Sequence, residues 1–167
     1  MKKESIVLNG EEISQKIKRL AWQIYEDNIE QKEIIIVGVC GRGEVLAAKL
    51  RDVISKISLI ETKIGTISLD KEIPYQKEIS INLDSIDYTN KVVLLVDDVL
   101  NSGKTLMYAS KYFLTTPLIR LSTVVLVDRT HNRFPIKADY IGLSLATTLQ
   151  NYITVILEGK RKGIYLS

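Results

Sequence analysis

Val92-Val93-Leu94-Leu95-Val96-Asp97-Asp98-Val99-Leu100-Asn101-Ser102-Gly103-Lys104-Thr105 is the stretch on which the fold turns. It opens with five apolar residues in a row. Such a run fits a strand buried on both faces, as in a parallel sheet, better than the alternation of a half-exposed one. Two carboxylates end the run, a polar turn follows, and the pattern then predicts a helix over about 103–114. Strand, polar turn, helix is one half of a parallel crossover unit.

The same pattern recurs on both sides. Ile34-Ile35-Ile36-Val37-Gly38-Val39 predicts a second buried strand. A helix over 44–56 follows, with Val45, Leu46, Leu50 and Val53 turned inward. Residues 121–127 predict a third buried strand. Ahead of these, 10–30 predict a helix. Asn9 and Glu12 have the spacing of a capping box, and Ile13, Ile17, Leu20, Ala21 and Ile24 form one stripe. Residues 57–69 predict one or two strands. The polar stretch 70–90 predicts a loop with a short strand near 79–83. Short strands are predicted at 139–143, 152–157 and 163–166, and Pro74, Pro117 and Pro135 read as loop positions. The sum is an α/β fold around a mostly parallel sheet, in one domain over 1–167.

Composition narrows the function. Charged residues make up 26% and apolar ones 46% of 167 residues, the balance of a globular chain with a full core. A chain of this size buries ~70% of the surface it exposes when unfolded. The formal charge of +3 does not by itself indicate a nucleic-acid binder. One cysteine, Cys40, excludes a disulfide framework, and one histidine, His131, excludes a paired-histidine metal motif. Neither a membrane span nor a secretory signal is evident, so the expected location is the cytoplasm.

In open α/β sheets ligands bind at the carboxyl ends of the strands, where the strand order reverses. Three polar segments fall at such ends: Gly38-Val39-Cys40-Gly41-Arg42-Gly43, the segment 97–105, and Asp128-Arg129-Thr130-His131. The second is the informative one. Asn101-Ser102-Gly103-Lys104-Thr105 at a helix start offers amide N–H groups, hydroxyls and a positive helix end, which suits a phosphate. An ordinary helix cap by Asn101 or Ser102 is the plainer alternative. Position 98 is Asp where a Walker A loop needs glycine, and the glycines at 38, 41 and 43 do not follow the dinucleotide order. Adjacent carboxylates just upstream suit a vicinal diol or a nearby Mg²⁺. Carboxylates for O2 and O3 with a phosphate cradle beyond them match a 5-phosphorylated ribose.

This stretch closely resembles the signature of the type I phosphoribosyltransferases. Residues 5–60 are similar to that family's first helix, first core strand and second helix. Val125-Leu126-Val127-Asp128-Arg129-Thr130-His131, followed by Pro135-Ile136-Lys137-Ala138-Asp139-Tyr140-Ile141-Gly142, resembles its pyrimidine-operon attenuator branch, whose members double as uracil phosphoribosyltransferases. The resemblance implies that family's fold, with a small hood beside the sheet. It implies transfer of phosphoribose from phosphoribosyl diphosphate to a nucleobase, giving a nucleoside monophosphate and diphosphate, with Mg²⁺ riding on the diphosphate. It assigns Asp97 and Asp98 to the ribose hydroxyls. It assigns Val99, Leu100, Asn101, Ser102, Gly103, Lys104 and Thr105 to the rest of the phosphate loop, and Cys40, Gly41, Arg42 and Gly43 to a diphosphate loop. Asp97, Asp98 and Arg42 become the catalytic set. Tyr140 becomes the aromatic that stacks on the base and Ile141 the residue whose backbone reads its edge, with Asp128 and Arg129 nearby. A homodimer is the expected assembly.

Three departures bear on that expectation. The diphosphate loop reads Cys-Gly-Arg-Gly where the attenuator branch usually has Lys-Thr-Arg-Gly, one cation fewer. The lid segment 68–78 is shorter than usual, and Lys71, Tyr75 and Lys77 are the residues able to substitute in it. Asn101 and Asp128 stand where the hypoxanthine-guanine branch has an acidic residue and a lysine, which disfavours a 6-oxopurine and favours a pyrimidine. The combination predicts that binding survives better than turnover. A different class of reading is an RNA-binding regulator or a nucleotide sensor, with Lys16, Lys18, Arg19, Arg129, Arg133 and Lys137 as the RNA face; solvated surface charge is its plain alternative.

Overall fold

The computed structural model describes residues 4–148 and 151–167. Two sheets are present among them. The larger contains β2 (Glu33–Val39), β3 (Glu61–Ser68), β4 (Ser80–Ile81), β5 (Val92–Leu100), β6 (Arg120–Asp128) and β7 (Tyr140–Ser144), in the order β4-β3-β2-β5-β6-β7. All neighbours are parallel except β4, which runs antiparallel to β3. The smaller sheet packs β1 (Ser5–Asn9), β9 (Gly163–Leu166) and β8 (Ile153–Ile156), all antiparallel. It is the hood, closed by the two ends of the chain.

Alternation along the buried strands splits the core in two. Ile34, Ile36, Leu94, Val96 and Leu126 face α1 (Gly10–Asp27) and α2 (Arg42–Ile57). Ile35, Val37, Val93, Leu95 and Val125 face the other side, where α4 (Lys104–Phe113) places Leu106, Ala109 and Phe113. Both faces of the central strands are therefore buried, as their unbroken apolar runs require. The helix caps follow the sequence: Asn9 Oδ1 accepts from the Glu12 amide at 2.9 Å, and Glu12 returns the bond to the Asn9 amide at 2.7 Å.

Four details differ from the sequence reading. β1 was not expected, nor was the one-turn helix α3 (Ser85–Tyr88) inside 70–90. α2 begins at Arg42, so two residues expected in a loop lie in the first helical turn. β5 runs on through the two aspartates to Leu100, pairing Asp97 with Val125 and Leu100 with Asp128. Strand order reverses between β2 and β5, so the crevice at their carboxyl ends is where ligands are expected.

Candidate active site

The crevice is built from the ends of β2 and β5. Gly38 and Gly43 let α2 lie close against the sheet. A Cβ on Gly43 would stand 2.7 Å from the Val96 carbonyl oxygen and 3.2 Å from Asp97 Oδ1. Asp97 and Asp98 are almost fully buried, at 3% and 6% exposure. Successive strand residues leave opposite faces, and the two carboxylates have different partners. Asp98 Oδ2 pairs with Arg42 Nε at 3.0 Å, while Asp97 Oδ1 accepts the Asp98 amide at 3.0 Å and stands 3.8 Å from Lys71 Nζ.

Beyond them the chain turns through Asn101-Ser102-Gly103. The turn is pinned from outside, because the Ser102 carbonyl accepts from the amides of Arg133 (2.8 Å) and Phe134 (3.0 Å). Gly103 takes φ +85°, and a Cβ there would meet Ile136 Cγ2 at 2.7 Å, so only glycine suits the position. Neither Asn101 nor Ser102 caps α4 in the ordinary way. Gly103 holds the cap position with no side-chain cap bond, and Ser102 Oγ lies 3.3 Å from the Lys104 amide. The start of α4 lines a cavity of about 300 Å³ through Gly103, Lys104 and Thr105, together with Asp97, Lys71 and Arg133. A positive helix end flanked by cations suits an anion. Next to it lies a second cavity of about 220 Å³, lined by Asn101, Ser102, His131, Arg133, Asn151 and Tyr152 among others.

Burial, with the charge of Asp98 added, pushes the Asp97 carboxyl up to about 7, and Lys71 opposes the rise. The folded chain therefore holds a proton that the unfolded chain releases near pH 4. Between about pH 4 and 7 the native state binds more protons, so this group's contribution to stability falls as pH rises through that window. Denaturant unfolding of the ligand-free chain at pH 5 and pH 8 should show the higher stability at pH 5, by an amount on the order of a few kcal/mol. Asp97→Asn should flatten the dependence, and an unchanged slope in that variant would contradict it. Asp70, held at about 2 by Lys77 and two amides, acts only below this window.

The base end departs from expectation. Tyr140 is 5% exposed and packs in the α1 side of the core, where its hydroxyl donates to Asp27 Oδ2 at 2.9 Å. It has no face free to stack on a ligand. Burial and Asp27 push its hydroxyl up to about 12. Ile141 packs on the opposite core, and its carbonyl accepts from Arg19 at 3.0 Å, as does that of Gly142 at 2.6 Å. Arg129 is buried and donates to Thr147 Oγ1, Thr148 O and Asn151 O, tying these three residues to the end of β6. Asp128 Oδ1 accepts the Thr130 amide at 2.8 Å and closes a turn at the strand end. Tyr140 and the Ile141 carbonyl are thus engaged within the fold, while Arg129 also lines the second cavity. Tyr140→Phe should cost about 1 kcal/mol of stability and leave the KM for the base unchanged; a raised KM would restore Tyr140 to the site.

Two residues enter the site that the motifs did not place there. Lys71 arrives from the lid segment; it was one of three candidates, and of the other two Lys77 pairs with Asp70 while Tyr75 packs against Tyr108. Arg133 lines both cavities instead of a surface face. With Arg19 and Arg129 also engaged, half of the six cations read as an RNA face have other roles. Cys40 is exposed, at the start of the expected diphosphate loop, and its amide donates to the Ile67 carbonyl. Gly41 next to it takes φ +96° with open space around it.

Comparison with known proteins gives a consistent result. The model of the phosphoribosyl transferase domain matches residues 4–156. The bifunctional protein PyrR of Staphylococcus epidermidis (strain ATCC 12228) is 32% identical over 163 residues, 93% of each chain. That of Staphylococcus aureus (strain bovine RF122) is 32% identical over the same length and coverage. Among solved structures, a hypoxanthine-guanine phosphoribosyltransferase of Bacillus anthracis superposes with a TM-score of 0.72 at 25% identity, covering 85% of this chain and 84% of that one. The hypoxanthine phosphoribosyltransferase of Trypanosoma cruzi reaches 0.79 at 21% identity, over 97% and 95%, a likeness of fold. No helix among the described residues is long and apolar enough to cross a membrane.

Proposed function

Because the chain belongs to the type I phosphoribosyltransferase family, we propose that it joins phosphoribose to a pyrimidine, uracil or a close relative, at the crevice between β2 and β5. The bond from the anomeric carbon to the diphosphate oxygen breaks, and its electron pair leaves with the diphosphate. A ring nitrogen of the base forms the new bond, and its proton leaves to solvent. The protein positions the partners and meets the developing charge; no side-chain nucleophile is needed.

The observation that carries the reading is the continuity of the site. The helix start over 103–105 takes the 5-phosphate, and Asp97 and Asp98, just upstream on β5, take the ribose diol. The adjoining cavity then takes the base. Asn101 and Asn151 line it, and their amides both donate and accept, as the alternating carbonyl and N–H groups of a pyrimidine require. Asp128, whose carboxylate accepts the Thr130 amide, stands where the hypoxanthine-guanine branch has a lysine, which supports a pyrimidine.

Magnesium fits this site in a particular way. Among the described residues no group of three His, Cys, Asp or Glu side chains could hold a metal alone. Asp97 and Asp98 are two buried carboxylates, each already facing a cation, which suits an ion carried in by the diphosphate rather than one resident on the protein. When bound, Mg²⁺ would neutralise part of the leaving group's charge.

A panel of uracil, hypoxanthine, guanine and xanthine, with diphosphate release as the readout, tests the assignment. Uracil is expected to be the substrate. Turnover with hypoxanthine or guanine alone would reverse the reading of Asn101 and Asp128. Absence of turnover with every base, beside tight nucleotide binding, would favour a sensor or an RNA-binding regulator.

A further inference from the structure

A hollow of about 610 Å³ lies between α4, α3 and the lid segment, and it shares no lining residue with either cavity of the crevice. Volumes of ~300–1,000 Å³ are typical of small-molecule sites. Four of the chain's eight tyrosines line it: Tyr75, Tyr88, Tyr108 and Tyr112. The same wall carries two ammoniums, those of Lys77 and Lys111, and no carboxylate. Ser85, Thr115 and Thr116 add hydroxyls. The proposed reaction uses none of these groups.

The fold brings them together from three elements. Tyr108, Lys111 and Tyr112 stand three and four residues apart on α4 and so share one face. Tyr88 of α3 is 3% exposed and packs edge-on against Phe113, which makes its ring a fixed part of the wall. Tyr75 and Lys77 come from the lid. Asp70 fixes that turn: its Oδ1 accepts the amides of Glu72 (3.0 Å) and Ile73 (3.1 Å), and its Oδ2 accepts from Lys77 (2.5 Å). The Tyr75 ring is 64% exposed and lies 6.4 Å from the Tyr108 ring, tilted by 47°. Lys111 is exposed and has no carboxylate partner among the described residues.

Phenol rings receive a planar ring by offset stacking or edge-to-face contact. An ammonium with three donors and no counter-ion beside it suits an anionic group. We propose that this hollow is a second ligand site, outside the crevice, for a planar aromatic anion. Its ring lies against Tyr75 and Tyr108, and its phosphate or carboxylate meets Lys111. Such a ligand touches the lid and α4 together. It would add a second tie between them to the one already present, where the Lys104 ammonium donates to the Glu72 carbonyl at 2.8 Å. The inference goes beyond the phosphoribosyltransferase reading and does not depend on it.

The test is calorimetric titration of the full chain with adenosine monophosphate and with phenylpyruvate. Phosphoribosyl diphosphate is kept in excess to occupy the crevice; it has no aromatic ring and leaves the hollow open. One-site binding is expected. Adenosine and inorganic phosphate each carry half of the chemistry and should bind more weakly, by roughly tenfold. Lys111→Glu should weaken the ring-bearing anions by roughly tenfold or more, since a bond to a charged group is lost. Tyr75→Ala should weaken them several-fold. Both side chains are exposed, so the melting temperatures should not move. Lys56→Glu makes the same charge change on α2, across the sheet, and should bind as wild type. Amide hydrogen exchange over 75–78 should slow when the ligand binds. Absence of binding by both anions, or binding that Lys111→Glu and Tyr75→Ala leave unchanged, would overturn the inference. Unchanged exchange over 75–78 would also overturn it. Binding of adenosine monophosphate alone would support the site and narrow its class to nucleotides; binding of phenylpyruvate alone would support it and narrow the class to aromatic acids. A chain that binds phenylpyruvate through Lys111 but never binds phosphoribosyl diphosphate would overturn the functional reading and leave this inference standing.

Discussion

Asp97→Asn combined with Asp98→Asn is expected to weaken phosphoribosyl diphosphate binding by ~3–6 kcal/mol, or roughly 10²–10⁴-fold, because each charge-assisted hydrogen bond contributes ~1.5–3 kcal/mol. Both carboxylates are nearly inaccessible, so bonds to ribose hydroxyls would form in a largely dry environment, where they are strong. The ligand-free chain should not be weakened in proportion. Asp97 is held against the cost of its own burial, and the amide removes that cost. Asp98→Asn, by contrast, leaves Arg42 with a neutral partner. Calorimetric titration beside thermal melting at pH 8 separates the two effects. Binding at wild-type strength by the double variant would remove the carboxylates from the site.

The second large effect concerns the close approach that shapes the crevice. Gly38→Ala is expected to destabilise the chain by about 3 kcal/mol, the upper part of the usual overpacking range. A Cβ at Gly38 would lie 2.5 Å from Glu44 Cα, 2.7 Å from Glu44 N and 2.7 Å from the Gly43 carbonyl oxygen. All three are backbone atoms, so no side chain can rotate away. Helix α2 must move, and Arg42 and Gly43 move with it. Gly41→Ala is the control, because nothing lies within 4 Å of its Cβ and only the positive φ is strained. That variant should lose about 1–2 kcal/mol. Chemical denaturation of the two checks the order; equal losses would mean that α2 is not packed as described.

How far the sequence carried this account depended on how local each feature is. The three buried strands and the stripe of α1 were legible because each is one uninterrupted pattern. The strand end, turn and helix start over 97–105 were legible for the same reason, since they form a single segment. β1 was not, because its partner β9 lies at the other end of the chain and Ser5 pairs with Leu166. α3 is a single turn, too short for a periodicity to show. The burial of Tyr140 was hidden by register. Tyr140 and Ile141 are adjacent on β7, so the face each takes follows from which β6 residue it pairs with. That pairing is Val124 with Tyr140, which sends the ring into the core beside α1. Lys71 shows the opposite case, in which the residue was noticed but its place beside Asp97 depended on the path of the lid turn set by Asp70.

The central claim is that one continuous crevice holds phosphate, ribose and base in that order along 97–105 and the adjoining cavity. The most direct measurement is a crystal structure of the chain with bound uridine monophosphate. The account predicts the phosphate on the amides of 103–105, the ribose hydroxyls within hydrogen-bond distance of Asp97 and Asp98, and the ring beside Asn101 and Asn151. A nucleotide bound elsewhere, or one whose ribose hydroxyls do not touch the two aspartates, would contradict it.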